Sequence, residues 1–117
     1  MTTPITVQPT ELPAPIRSFL AAHVARDADS AIRAFTPDAV VTDEGRTFRG
    51  TEEILGFLRH SGSGFTYTTE LTGAQFVGQD HWVAVNHLEG DFPGRVVDLA
   101  YRFTVVGDRI AELVIAP

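Results

Sequence analysis

The spacing of hydrophobic residues along this 117-residue chain changes close to Gly64. Before that glycine, apolar residues such as Ile16, Phe19 and Leu20 recur at the three- and four-residue spacing of amphipathic helices. After it, apolar and polar residues alternate, which is typical of half-buried strands. A chain with helices in its first half and strands in its second is expected to adopt an α+β fold. We expect three N-terminal helices packed on one face of a curved, mostly antiparallel sheet.

Capping residues and prolines divide the first half into separate helices. Asp29 is a suitable N-cap for a short second helix that Pro37 ends, and Thr51 is a suitable N-cap for the third. A β-prone run at Ala39–Thr42 closes on a turn at Asp43–Gly45. The predicted helices are Pro15–Val24, Ser30–Phe35 and the stretch from Thr51 to about His60.

The second half predicts an antiparallel meander. The tight Gly107–Asp108 turn joins two of its strands, and a bulge at Gly73 interrupts the first. In the strand that starts at Val96, alternation places Leu99 and Tyr101 on the inner face together with Phe103. The predicted strands are Phe65–Thr72 with a continuation at Ala74–Val77, about Trp82–Glu89, Val96–Val106 and Arg109–Ile115.

Two registers are open for the strand that follows Gly78. The inward residues are either Trp82, Ala84, Asn86 and Leu88, or His81, Val83, Val85, His87 and Glu89. In the first register, Asn86 is a neutral amide in an apolar wall, able to orient a substrate oxygen. The two histidines of the second register lie roughly 20 Å apart along a strand, too far to share one ion. We therefore expect no metal site.

Charge and composition restrict the partners of the chain. Fifteen Asp and Glu against nine Lys and Arg give a net charge of -6, whose field repels phosphate backbones and anionic lipid. Neither nucleic acid nor a membrane is an expected partner. No apolar run reaches the roughly 18–20 residues of a membrane span, and there are no cysteines, so we expect a cytoplasmic protein. Residues 1–12 are expected to form a flexible arm, and residues 13–117 a single domain.

Several short motifs follow one another in a specific order. They are FTPDAVVTDEGRTFRGTEEILGFL from Phe35 to Leu58, ELTG at Glu70–Gly73 and GDRIAEL at Gly107–Leu113. With these motifs, the chain from about Pro15 to Ile115 resembles the SnoaL-like and ketosteroid-isomerase-like branch of the nuclear-transport-factor-2-like superfamily. The resemblance implies a cone-shaped α+β barrel that encloses a deep apolar pocket and forms a homodimer through its outer sheet face. It also favours the first of the two registers described above.

The resemblance implies a catalytic role for Asp43. This residue matches the position where ketosteroid isomerases keep the general base that moves a proton next to a carbonyl. An Asp that precedes Gly45 is also an ordinary turn residue that bonds its local backbone. The sequence leaves both interpretations open.

The hydrogen-bond donors of those isomerases are mostly replaced here. The family's tyrosine donor falls on Phe19, its supporting tyrosines fall on Phe35 and about Leu58, and its protonated aspartic acid falls near Tyr101. Tyr101 is itself a candidate donor, or else a core tyrosine bonded to backbone. His23, on the buried stripe of the first helix, is either a further catalytic candidate or a core histidine.

Two functions of different class are consistent with these residues. The first is a pocket protein for an apolar or polyketide-like small molecule, an isomerase, cyclase or dehydratase that needs no cofactor. The second is a non-catalytic ligand-binding or dimerisation module with a filled cavity. The residues expected to line the pocket are Phe19, Phe35, Phe57, Leu58, Tyr67, Trp82, Asn86, Leu99 and Phe103.

Overall fold

The computed structural model describes residues 3–61 and 63–117. Within these residues three α-helices precede most of the strands, and a short 3-10 turn occupies Pro9–Glu11. The helices are α1 (Ala14–Val24), α2 (Ala28–Ile32) and α3 (Gly50–His60). The strands are β1 (Ile5–Val7), β2 (Phe35–Asp43), β3 (Arg46–Arg49), β4 (Tyr67–Gly78), β5 (His81–Gly90), β6 (Val96–Val106) and β7 (Arg109–Ala116).

The described strands form one seven-stranded sheet in the order β1-β4-β5-β6-β7-β2-β3. Among them, β2 and β7 pair in parallel and every other neighbouring pair is antiparallel. The core lies between the helices and one face of this sheet, which we call the inner face. Ile16 and Phe19 of α1 pack there with Leu113 of β7, and each is fully buried. The predicted α+β fold class is confirmed.

One row of residues crosses four adjacent strands on the inner face. Asp43 of β2 pairs with Ile115 of β7, Ile115 pairs with Tyr101 of β6, and Tyr101 pairs with Ala84 of β5. In-register neighbours point to the same side of a sheet, so all four side chains point the same way. Ala84 is fully buried, which identifies that side as the inner one.

The register of β5 is the first of the two predicted alternatives. Ala84 pairs with the buried Tyr101, and Asn86 pairs with Leu99 and is only 3% exposed. The bulge expected at Gly73 is also present, because the pairing of β4 with β5 shifts between Leu71 and Gly73. The strand therefore continues past the bulge, as the sequence predicts, although it begins at Tyr67 rather than Phe65.

The caps of the second and third helices differ from the prediction. Asp27, not Asp29, caps α2: its carboxylate accepts from the backbone N–H of Ser30 at 3.1 Å and from the Ser30 hydroxyl at 2.7 Å. Helix α2 therefore begins at Ala28; it ends at Ile32, and the backbone is already a strand at Phe35. Helix α3 begins at Gly50 instead of after Thr51, and Arg49 is its N-cap. The Glu53 carboxylate accepts from the Arg49 backbone N–H at 2.9 Å, which stabilises this earlier start.

The N-terminal segment also differs from the predicted flexible arm. Ile5–Val7 pairs antiparallel with the outer edge of β4, so its backbone groups extend the sheet. Leu12 is 2% exposed and belongs to the core. An unpaired strand edge and one apolar side chain are enough to attach a segment that has little hydrophobic pattern of its own.

Among the described residues, no helix combines the length and the apolar character needed to cross a lipid bilayer.

Candidate functional site

A cavity of about 1480 Å³ lies at one end of the inner face. It is surrounded by the C-terminal end of α1, the β2–β3 turn and α3, and by parts of strands β4, β5, β6 and β7. Its inner wall is apolar and aromatic, whereas charged side chains gather toward the solvent. The inner-wall residues are Phe57, Tyr67, Leu88, Leu99, Tyr101 and Ile115.

Asp43 lines this cavity at the end of β2. The positive φ angles that the β2–β3 turn requires fall on Glu44 (51°) and Gly45 (79°), and Asp43 remains a strand residue paired with Arg46. Its side chain shares the inner face with the fully buried Val41. The carboxyl group therefore points to the cavity, and the turn is formed by the two residues that follow it.

Partial burial raises the pKa of the Asp43 carboxyl above its usual range, and the charge of Glu44 raises it further. The nearby Arg46 guanidinium acts in the opposite direction. A half-buried carboxylate with a raised pKa is a stronger proton acceptor than one in water.

Tyr101 and His23 form a hydrogen-bonded pair beside this carboxylate. The Tyr101 Oη and His23 Nε2 atoms are 3.4 Å apart. The side chain of Asn86 also forms a hydrogen bond with Tyr101. The imidazole of His23 stacks on the ring of Phe19, with centroids 5.3 Å apart and planes inclined by 14°. Packing on one side and hydrogen bonds on the other thus fix both polar groups in place.

The environment keeps both members of the pair neutral. Burial raises the pKa of Tyr101, and the charge of Asp43 and the neighbouring Tyr67 raise it further, while the hydrogen bond from Asn86 lowers it slightly. Burial lowers the pKa of His23 to about 4, with a contribution from the charge of Arg26. At neutral pH the site therefore contains a phenol and a neutral imidazole.

The tautomer of His23 decides where the phenol proton points. With the proton on Nε2, the imidazole donates to the Tyr101 oxygen, and the phenol O–H is directed to the cavity. With the proton on Nδ1, the phenol donates to Nε2 instead. The pair is therefore able to present a donor to a bound oxygen or to hold the proton within the protein.

The structure brings together some of the predicted site residues and separates others. Asp43, Tyr101 and His23 line the cavity, as do Phe57, Tyr67 and Leu99 of the predicted wall. Phe19, Phe35, Leu58 and Phe103 do not line it; they are buried in the core beneath or beside it. These apolar residues pack against one another, as in the edge-on contacts of Phe19 with Phe35 and Phe103.

Trp82 and Asn86 also differ from their predicted places on the wall. Trp82 lies at the other end of β5 and packs on Phe76, with ring centroids 4.8 Å apart. Asn86 is buried, and it reaches the site through its hydrogen bond to Tyr101. The correct strand register was sufficient to place both residues on the inner face, but not to show how far along it the cavity extends.

Several lining residues at the mouth were not anticipated as site residues. Arg26 lies over the ring of Tyr67 at 5.3 Å, and Phe92 contacts both Phe65 and Tyr67 with centroids 6.3 Å away. On the opposite side, Phe48 packs on Phe57 at 4.8 Å. Of these residues, only Phe65 could have been found from the sequence, because it continues the alternating pattern that includes Tyr67. The others lie in loops, in a turn or on a short strand, where the sequence shows no periodic pattern.

The histidines of β5 are on the outer face. His87 Nδ1 is 2.6 Å from Asp98 Oδ1, and its Nε2 is 3.5 Å from Glu89 Oε1. His81 Nδ1 is 3.2 Å from the Thr104 hydroxyl. In residues 3–61 and 63–117, no three His, Asp or Glu side chains come close enough together to hold a metal ion.

The chain is similar to known proteins in both sequence and fold. The profile of the SnoaL-like domain family matches residues 16–113. A solved structure from Sinorhizobium meliloti, described as a "putative polyketide cyclase", is 33% identical with a TM-score of 0.85, over 94% of this chain and all of that one. No curated protein matches at a significant level.

More distant structures share the fold alone. A protein from Catenulispora acidiphila with a ketosteroid isomerase-like fold, in complex with trimethylamine, is 20% identical with a TM-score of 0.77, over 90% of this chain and 85% of that one. TerC, co-crystallised with polyporic acid, is 16% identical with a TM-score of 0.74, over 87% of each chain.

Proposed function

The chain belongs to the SnoaL-like domain family, and from this premise we propose that it is an enzyme that moves a proton next to a carbonyl of an apolar, ring-bearing substrate. The observation that carries the proposal is the placement of Asp43 and Tyr101 on one face of the sheet, with one strand between them, beside one cavity. Their backbones are about 10 Å apart, twice the usual strand spacing. In the proposed complex, the substrate carbonyl and its neighbouring carbon lie over Ile115, which occupies the position between the two residues.

Asp43 is the base of the proposed reaction. Its carboxylate takes a proton from the carbon next to the carbonyl, so that a C–H bond breaks and an O–H bond forms. The released electron pair moves onto the carbonyl oxygen as an enolate. Return of the proton to a different carbon is an isomerisation, and attack of the enolate carbon on a second carbonyl is an aldol-type cyclisation.

Tyr101 is the donor that stabilises the enolate. Its phenol donates a hydrogen bond to the developing oxyanion, while His23 and Asn86 hold the ring in position. Preorganised donors in a site shielded from water commonly provide the largest share of such stabilisation. The proposed reaction requires no cofactor.

The similar proteins support an oxygen-bearing ring compound as the substrate class. The relative from Sinorhizobium meliloti carries the name of a polyketide cyclase, and TerC was crystallised with polyporic acid. An inner wall that includes Phe57, Leu99 and Ile115 offers the flat apolar surface that such a ring requires.

The proposal is tested by exchange of hydrogen for deuterium in 2-tetralone, a bicyclic ketone with acidic protons beside its carbonyl. In heavy water, wild-type protein is expected to accelerate loss of those proton NMR signals. Asp43→Asn is expected to lower the protein-catalysed rate by roughly 100-fold or more, because the base is removed. Tyr101→Phe is expected to lower it by a similar factor, because the donor is removed.

Asp38→Asn is the matched control, since Asp38 is an exposed carboxylate of the same strand that does not line the cavity. It is expected to retain the wild-type rate, and thermal unfolding of each variant verifies that it is folded. Exchange by Asp43→Asn at the wild-type rate would assign the base elsewhere and overturn the proposal.

A second candidate function is a non-catalytic carrier of the same class of ligand. It is favoured by the core packing of Phe19, Phe35 and Leu58, where the resemblance to ketosteroid isomerases would have placed polar donors. The carrier would be supported if wild-type protein binds 2-tetralone, as a thermal shift detects, but exchanges its protons no faster than Asp43→Asn does.

A further inference from the structure

We propose that Arg26 sets the specificity of the cavity by binding an acidic oxygen, a carboxylate or an ionised enol, on the ring-bearing substrate whose carbonyl lies at Tyr101. This inference rests on the proposed function for the position of the carbonyl. It adds the chemical class of a second substrate group and the residue that recognises it.

The backbone beyond α1 directs Arg26 toward the cavity. Helix α1 ends at Val24, and Arg26 adopts a left-handed conformation with a φ of 58°, in which its N–H donates to the His23 carbonyl at 3.1 Å. This turn reverses the chain, so that the side chain returns to the mouth of the cavity. A non-glycine residue in this region of φ costs energy, and it persists where the surrounding contacts determine it.

The guanidinium is held in a defined orientation. It lies over the ring of Tyr67 at 5.3 Å, and its Nη1 donates to the Ser61 carbonyl at 3.2 Å. Stacking engages the face of the guanidinium, whereas its N–H groups project from the edge. A guanidinium carries its five N–H donors in a planar fork, which suits its edge to bind a carboxylate or enolate oxygen.

The charge of Arg26 also acts on a group of the proposed reaction centre. Its charge contributes to the low pKa of His23, the hydrogen-bond partner of Tyr101. Tyr67, on which it stacks, contributes to the raised pKa of Tyr101. Arg26, Tyr67 and Tyr101 line the same cavity, so a ring compound whose carbonyl lies at Tyr101 and whose other end lies over Tyr67 is beside Arg26.

The second arginine on the described cavity wall has a different environment. Arg46 pairs with Asp43 across the β2–β3 hairpin, and its charge lowers the pKa of that carboxyl. Glu44, Glu52 and Glu53 line the same side of the cavity. An anionic ligand group is repelled by these carboxylates, so the Arg26 side is the favourable one for it.

The test compares the affinity of matched acidic and neutral probes. The carboxylate pair is 2-naphthoate and methyl 2-naphthoate, and the enol pair is 2-hydroxy-1,4-naphthoquinone and its methyl ether. Wild-type protein is expected to bind at least one acid about tenfold more tightly than its neutral partner, as charge-assisted hydrogen bonds commonly allow. The pair that shows the preference identifies the acidic group.

In Arg26→Gln the preference is expected to fall to about twofold or less, because the fork of charged donors is gone. Arg109→Gln removes an exposed arginine that does not line the cavity; it is the control and is expected to keep the preference. Equal binding of acid and neutral probe by the wild type would overturn the inference, as would loss of the preference in Arg109→Gln but not in Arg26→Gln.

A second readout does not depend on a folded Arg26 variant. An anion beside Arg26 offsets the positive charge that lowers the pKa of His23, so binding of the acid is expected to raise that pKa in wild-type protein. The neutral partner is not expected to raise it, and an NMR titration of the imidazole measures both. A His23 pKa that is no higher with the bound acid than with the bound neutral partner would contradict the inference.

The two proposals fail in distinguishable ways. Exchange by Asp43→Asn at the wild-type rate refutes the proposed reaction, whereas the binding preference and its dependence on Arg26 are measured without any turnover.

Discussion

At the scale of single residues, burial acts on three titratable groups of the cavity in the same sense. It raises the pKa of Asp43 and of Tyr101 and lowers the pKa of His23, so each is moved toward its neutral form. At neutral pH Tyr101 and His23 are therefore uncharged, and Asp43 is a stronger base than a carboxylate in water. An oxyanion that develops there on a substrate meets a preorganised phenol.

The low pKa of His23 predicts how stability depends on pH. The folded-state pKa of about 4 lies below the ordinary histidine pKa of 6.5, so the unfolded chain binds an extra proton between these pH values. The free energy of unfolding is expected to fall as pH decreases from 6.5 to 4, by roughly 3 kcal/mol from this residue. Urea unfolding of wild type and His23→Gln over this range measures the difference.

The variant loses the ring contact with Phe19, so its absolute stability is not the informative quantity. The informative quantity is the difference in slope: the wild-type curve is expected to decline more steeply below pH 6.5 than the His23→Gln curve. Parallel curves would show that His23 is protonated with equal ease in the folded and unfolded states.

The sequence predicted Asp43, Tyr101 and His23 as candidate site residues, and all three line the cavity, but it left the orientation of Asp43 open. Alternate residues of β2 face opposite sides of the sheet. The pairing of β2 with β7, which lies more than 70 residues later in the chain, decides which set faces the cavity and so where Asp43 points. The sequence did not indicate Arg26 as a site residue. Its proposed role depends on its left-handed backbone conformation and on its contact with the ring of Tyr67, which lies on a distant strand.

At the scale of elements, two loops at the mouth of the cavity are joined through a glycine. Gly90 of β5 pairs with Tyr67 of β4, and a Cβ on Gly90 would overlap the Thr66 carbonyl and the Tyr67 side chain. Beside it, the Thr66 N–H donates to Asp91 Oδ1 at 2.7 Å, and the Asp91 N–H donates to the Thr66 carbonyl at 3.1 Å. Close backbone approach at Gly90 thus positions Tyr67, which Arg26 contacts.

This packing predicts a difference between two glycines of the sheet. Gly90→Ala is expected to lower the free energy of unfolding by roughly 1–3 kcal/mol, because the added methyl group has no space. Gly73→Ala is the control, since a Cβ there meets nothing within 4 Å. Chemical denaturation of both variants tests this, and equal stability of the two would show that the loops are able to separate without cost.

Predictability from sequence also varies among elements. The bounds of β6 matched the prediction because its alternation extends over many residues, whereas α2 was displaced because Asp27 and Asp29 are both capable caps two positions apart. The strand β1 has three residues, and its partner β4 lies about 70 positions away, so no local pattern identifies it.

At the scale of the whole molecule, the outer face of the sheet carries a row of small residues. Gly73, Val85, Ala100 and Ala116 pair in register across β4, β5, β6 and β7. Such a flat apolar row suits close approach of a second sheet, and we expect a homodimer through this face, as the resemblance implied.

Sedimentation velocity at micromolar concentration is the direct measurement of this expectation. Wild type is expected to sediment as a dimer and Val85→Arg as a monomer, because a guanidinium placed in the row would be buried without a partner. Val106→Arg, at an exposed position beside the β6–β7 turn, is expected to remain dimeric. A monomeric wild type would refute the interface.

The parallel pairing of β2 with β7 has a consequence for synthesis. On the ribosome β2 emerges before β7, which is made after the other described strands and has to enter between β2 and β6. Until Ile115 is in place, no other described strand lies between Asp43 and Tyr101. The nascent chain therefore contains both residues before it contains a site, and the entry of β7 completes the cavity.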